Sequence, residues 1–239
     1  MRELHTRGLA TSYIARHVAA IRVFTRYLES IGYLERDPCE WLTQPTTWQR
    51  LPTVLGPEQM RSLLQSPQEE DPFCLRDRAI LEILYASGLR ATELAELVCQ
   101  HVHLDLAVVR VMGKGRKERI TPVGRKAIDA TRQYLTQLRP RLFKAERPTD
   151  HVFLSRTGRP LERVAVWQLV KKYAHRAGLA HVHPHTLRHS FATDLLAGGA
   201  DLRIVQELLG HSNIQTTQVY THVDRSRLKE MVRKHHPRP

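Results

Sequence analysis

Long apolar stretches are missing from this 239-residue chain. No run of about 18 apolar residues could cross a bilayer, and no basic amphipathic terminus could lie along one. No hydrophobic secretory segment follows Met1. These absences argue against a membrane partner and leave the cytoplasm as the expected location. Cysteine is sparse as well: Cys39, Cys74 and Cys99 stand far apart. Three such residues exclude a disulfide framework and a cysteine-based zinc site, and fit reduced thiols. Internal repeats and low-complexity tracts are also lacking. Acidic residues are the last shortage, 24 Asp+Glu against 37 Lys+Arg, which leaves a formal charge of +13. That balance favours a polyanionic partner, nucleic acid first. Taken alone, it also suits an anionic surface or a merely soluble basic protein.

What is present is enough for a core. Hydrophobic residues make up 41% of the chain, which at this length suits one or two domains and excludes disorder. Over residues 11–31, Ile14, Val18, Ile21, Phe24 and Leu28 recur at helical spacing with Arg16, Arg22 and Arg26 interspersed, so an amphipathic helix is expected, ending near Gly32. Residues 37–52, with Pro38, Pro45 and Pro52, carry little period and form a linker. Two domains follow, 1–50 and 51–239.

In the second, Asp71-Pro72 is expected to open a helix that runs to about Ser87 and stops at Gly88, which puts Arg90 in a tight turn. Residues 106–112 and 118–123 are rich in β-branched side chains and flank Gly113-Lys114-Gly115, so they predict a hairpin with Lys114 at or near its tip. Further helices are expected over 164–177, from Pro184, from a cap at Asp201 to Gly210, and from a cap at Ser212 through Tyr220.

His185 and Arg188 stand three apart and share a helix face near an N-terminus, where free N–H groups favour an anion. A solvated pair on a surface helix would have the same spacing. Four histidines within nine positions (His181, His183, His185, His189) raise a metal reading, but no HExxH pattern or carboxylate cluster completes a ligand set. Gly113-Lys114-Gly115 lacks the spacing and the following Ser or Thr of a Walker loop. His211 could be a plain helix end, and Tyr220 a core residue.

Their order along the chain is more telling. Gly88-Leu89-Arg90-Ala91-Thr92-Glu93-Leu94, the Gly-Lys-Gly hairpin, His185-Thr186-Leu187-Arg188-His189, Leu208-Leu209-Gly210-His211 and Tyr220-Thr221-His222-Val223 resemble, in sequence order, the signature blocks of the tyrosine recombinase (phage integrase) family. Ser190-Phe191-Ala192-Thr193, Gly199-Ala200-Asp201-Leu202-Arg203 and the ending His235-His236-Pro237-Arg238 look most like the bacterial Xer recombinases, of the XerC/XerD kind. The resemblance covers nearly the whole chain. It implies a mainly α fold with a small antiparallel β-sheet: a helical, SAM-like core-binding domain before a tyrosine recombinase catalytic domain. Only about fifty residues precede Pro52, so the core-binding domain is expected to be truncated. Thr92 stands where relatives commonly have Ser.

The resemblance further implies that Tyr220 is the nucleophile, that Arg90 and Arg188 hold the scissile phosphate, and that Lys114 protonates the leaving 5′-oxygen. His185 would handle the tyrosine proton, His211 would donate to the phosphate, and Glu93 would orient His185 or Arg90 from behind. No metal is expected, because the two arginines would take its place, and no cofactor, because a phosphotyrosine keeps the energy of the phosphodiester. The expected partners are a double-stranded recombination site, a second protomer or paralogue in a tetrameric synapse, and an FtsK-type DNA translocase. The expected role is chromosome-dimer resolution at cell division. A mobile-element integrase and a non-catalytic DNA-binding module are the alternative readings.

Overall fold

A computed structural model of the chain describes residues 8–42, 54–113, 118–210 and 231–237. The chain divides into two compact units, Met1–Leu51 and Pro52–Pro239. In the first, helix α1 spans Thr11–Ser30. Ile14 and Val18 are buried and Leu28 is half-buried, whereas Ile21 and Phe24 are exposed. At 3.6 residues per turn Phe24 points about 80° away from Ile14 and its neighbours, so it sits off the covered face. Thr25, on that face, is buried with its hydroxyl turned back to the carbonyls of Ile21 and Arg22, at 3.1 and 3.2 Å. Tyr13, Val23, Tyr27, Tyr33 and Trp41 are exposed too.

The second unit opens with α2 (Pro57–Gln65) and α3 (Cys74–Ser87). Helix α3 begins three residues after Asp71, not at Asp71-Pro72 as the sequence suggested. The Asp71 carboxylate, free in the sequence reading to cap a helix, is engaged elsewhere. It accepts from the Gln68 N–H and from Lys172 and Arg176, which folds the approach to α3 into a turn. Helix α3 is buried almost all round, as befits a central helix. Its polar residues are satisfied inside: Arg76 pairs with Asp77 and donates to the Leu154 carbonyl, and Tyr173 donates to Asp77 at 2.8 Å.

After the short α4 (Ala91–Ala95) comes an antiparallel sheet of β1 (Val102–His103), β2 (Val108–Met112) and β3 (Glu118–Pro122), in that spatial order. The expected hairpin is there as β2 and β3, and β1 adds a strand to it. Val109 faces Thr121 and Val111 faces Arg119 across the pair, and all four are buried. The core face of β3 therefore carries an arginine. Helix α5 (Arg125–Gln133) passes through a wider turn (Tyr134–Leu138) into α6 (Arg139–Leu142). Then follow α7 (Arg163–Arg176), α8 (Pro184–Ala197) and α9 (Leu202–Leu209). Asp201 caps α9, accepting from the Arg203 N–H at 2.7 Å.

Helix α3 packs against α2, α5, α7 and α8 around one apolar core. Residues 231–235 are helical, Val232 is buried, and the His236 ring lies 4.8 Å from Tyr85 of α3 and 5.4 Å from Phe191 of α8. Among the described residues no helix is long and apolar enough to cross a membrane.

Candidate active site

Two turns and one helix start build the site. Helix α3 ends at Gly88 in the left-handed region, φ +59°. A Cβ at that position would lie 2.5 Å from the Phe191 ring, so only glycine lets the turn approach α8 so closely. Two residues on, Arg90 caps α4 in an extended conformation, φ −74° and ψ 151°. Glu93 at the third helical position reaches back and accepts from the Arg90 backbone N–H at 2.8 Å and from its Nη1 at 2.6 Å. The sequence Arg90-Ala91-Thr92-Glu93 thus fixes both the backbone and the side chain of Arg90 locally.

Arg188 arrives from α8. Its guanidinium is buried and donates to the Gly88 carbonyl at 2.6 Å and to the Leu209 carbonyl at 2.5 Å, and its Nη1 lies 3.9 Å from Glu93. Helix α9 ends at Gly210, also left-handed at φ +64°, which turns these last carbonyls toward the arginines. The Gly210 carbonyl is 3.5 Å from Arg90 Nη2.

The sequence reading did not anticipate Arg119. From the core face of β3 it forks onto both oxygens of Glu93 at 2.8 Å each, and its Nε donates to the Leu208 carbonyl at 2.9 Å. A signal was available: the alternation of β3 puts Arg119 opposite Val111, where an apolar residue belongs. Three arginines therefore surround one carboxylate. Burial works against the charge on Glu93, but the Arg119 fork, with Arg90 behind it, outweighs that and holds the carboxyl at about 2. Burial, with Arg90 beside it, pulls Arg188 down to about 9. It stays cationic at neutral pH, in a pocket that would welcome an anion.

His185 lies in the first turn of α8, directly after Pro184, and His183 caps that helix with its N–H on the Thr186 hydroxyl at 3.3 Å. His185 is exposed to solvent. Partial burial, then Arg188 and Arg90, lower its pKa from the ordinary 6.5, which favours the neutral ring. Trp167 of α7, a second residue the sequence reading passed over, lies with its ring 5.0 Å from His183 and 5.8 Å from His185. Arg90, Glu93, His185 and Arg188 are thus brought together from α4 and α8. Lys114, His211 and Tyr220 lie outside the described residues. So does the helix expected from Ser212. Among the described residues no three His, Cys, Asp or Glu side chains are grouped to hold a metal ion.

The phage integrase family pattern matches residues 53–227. The chain belongs to the phage integrase family. It is 48% identical, over its whole length and 79% of the other chain, to a protein of Chlorobaculum tepidum named tyrosine recombinase XerD. It is 46% identical over 98% of its length to a protein of the same name from Halalkalibacterium halodurans, covering 79% of that chain. A solved structure of the XerH site-specific recombinase, bound to its palindromic difH substrate after cleavage, is 26% identical with a TM-score of 0.71. That likeness covers 95% of this chain and 68% of the other. As a family member the chain is a site-specific tyrosine recombinase, an enzyme, and the helix-rich unit with its three-stranded sheet is the family's catalytic fold.

Proposed function

We propose that the unit Pro52–Pro239 cuts and rejoins one strand of a double-stranded recombination site through Tyr220, and that the unit Met1–Leu51 is a DNA-binding partner domain. The observation that carries this reading is the set of three arginines around Glu93. It leaves Arg90 and Arg188 as preorganised cations beside a neutral His185, which is what a phosphoryl transfer without a metal needs.

In the reaction, the Tyr220 oxygen attacks the scissile phosphorus, the bond to the 5′-oxygen breaks, and a 3′-phosphotyrosyl link and a 5′-hydroxyl result. A phenol of pKa about 10 is protonated at neutral pH, so its proton passes to His185. Lys114 gives a proton to the departing 5′-oxygen. Arg90 and Arg188 fork onto the non-bridging oxygens, joined by a hydrogen bond from His211. Attack on the link by the 5′-hydroxyl of a second duplex completes strand exchange. The phosphodiester energy is kept throughout, so the scheme needs no nucleotide cofactor.

The XerD name of the similar proteins supports a role in resolving chromosome dimers in the cytoplasm. There the chain would act in a tetrameric synapse with a second recombinase, under an FtsK-type DNA translocase. The test is adduct formation on a nicked suicide duplex. Wild type should form a covalent protein–DNA adduct, whereas Tyr220→Phe should form none and still shift the same duplex with an affinity within about twofold. An adduct in the phenylalanine variant removes Tyr220 as nucleophile.

A further inference from the structure

Arg119 is 6% exposed at its side chain. All three kinds of guanidinium nitrogen are engaged: Nε on the Leu208 carbonyl, Nη1 and Nη2 on the two oxygens of Glu93. Three of its five N–H groups are thus engaged, and its burial keeps the guanidinium from DNA. Glu93, equally buried, is an anion set among groups meant to hold an anion. Its use is evident, since it caps and orients Arg90. Its cost is electrostatic, because a carboxylate without a counter-ion of its own there would repel a phosphate and cancel the charge of Arg90.

A buried ion pair adds little net stability compared with an apolar pair of similar volume. Stability alone therefore does not account for a guanidinium on the core face of β3. Charge does. With Arg119 present, the group of Arg90, Glu93, Arg119 and Arg188 carries a net charge of two; without it the net charge is one, and Glu93 is left to its contacts with Arg90 and Arg188.

We infer that Arg119 is a positioning residue whose task is to neutralise Glu93 as its counter-ion, so that the charge of Arg90 and Arg188 is not cancelled and acts on the scissile phosphate. The inference rests on the tyrosine recombinase reaction proposed above. It also explains why Arg119 sits on the hairpin strand: its hold on the Leu208 carbonyl and on Glu93 ties β3 to the end of α9 and to α4 in one contact.

The test compares adduct formation on two suicide duplexes, one with the natural scissile phosphate and one with a methylphosphonate, in which a methyl group replaces a charged oxygen. Removing a preorganised charge typically costs about 10²–10³ in rate. Arg119→Met should accordingly slow adduct formation about 10²-fold on phosphate. On the neutral methylphosphonate the deficit against wild type should shrink to about fivefold or less, since little negative charge remains to be stabilised. Glu93→Gln combined with Arg119→Met, which removes the carboxylate together with its counter-ion, should recover at least about tenfold over Arg119→Met on phosphate. A folding defect would depress both substrates equally, and thermal melts of each variant separate the cases. An equal deficit on both substrates, or no recovery in the double variant, overturns the inference. If Arg119→Met does not fold, the double variant decides alone: a rate as low as that of Arg90→Ala overturns it. Failure of the wild-type chain to form an adduct on phosphate would instead sink the recombinase reaction of this site, and the inference with it.

Discussion

Two clusters in the catalytic unit are built from the same kinds of residue and do different things. In one, Asp71 accepts from Lys172 and Arg176 and ties the turn before α3 to α7. In the other, Glu93 accepts from Arg90 and Arg119, with Arg188 close by. The cations of the first are open to solvent, Lys172 at 51% and Arg176 at 34%, and Glu70 adds a second negative charge near Arg176. There charges balance in water, where such pairs are weak. In the second, only Arg90 reaches solvent, and one carboxylate faces three guanidinium groups. A surplus of positive charge in a largely dry place favours an anion. Residue type is shared by the two clusters; burial and stoichiometry separate them.

The comparison breaks first at Arg90. Arg90→Ala keeps the backbone N–H that Glu93 holds, so α4 should survive, yet one cation is lost from the proposed phosphate site. Adduct formation should fall by about 10²–10³ with a melting temperature close to wild type. A drop of less than tenfold would mean that the surplus charge is not what the reaction uses.

Acid sharpens the contrast next. Glu93 is held at about 2 in the folded chain against an ordinary 4.5, so the folded state favours its charged form. The stability it contributes is fully present above pH 4.5 and is lost as pH falls from 4.5 toward 2, a swing on the order of a few kcal/mol. Chemical denaturation should show the gap between wild type and Glu93→Gln closing across that window. A gap that stays constant from pH 6 to 3 would place the effect of the substitution in shape, not charge.

Gly88 supports the site from the backbone. Gly88→Ala puts a side chain into the left-handed region and against Phe191, at a cost of about 2 kcal/mol or more. Because the Gly88 carbonyl holds Arg188, adduct formation should drop along with the melting temperature. Stability lost with full activity would detach that turn from the site. The smallest effect belongs to the other cluster. Asp71→Asn should cost about 1 kcal/mol or less and leave adduct formation within about twofold. A large catalytic loss there would erase the distinction between the two clusters.

Much of this was legible before any coordinates. The spacing of His185 and Arg188, glycine at helix ends, and Glu93 three residues after Arg90 are short-range facts. A chain obeying 3.6-residue periodicity and capping chemistry has little choice about them. The ordered motifs gave the family for the same reason, since each block is local. Helix α3 was misjudged at its start because Asp71-Pro72 is a good local opening, whereas the Gln68 N–H together with Lys172 and Arg176, a hundred residues away, draws its carboxylate elsewhere.

Arg119 was overlooked for a kindred reason. In one dimension it is another basic residue in a basic chain. It becomes the partner of Glu93 when the pairing of β2 with β3 turns it inward and α4 and α9 close over it. Sequence by itself determined which residues could cap, turn, carry charge and line one face of a helix, because those properties depend on neighbours a few positions away. Tertiary structure alone decided which charges lose their water and how many share one carboxylate, because burial and pairing are set by segments distant in the chain.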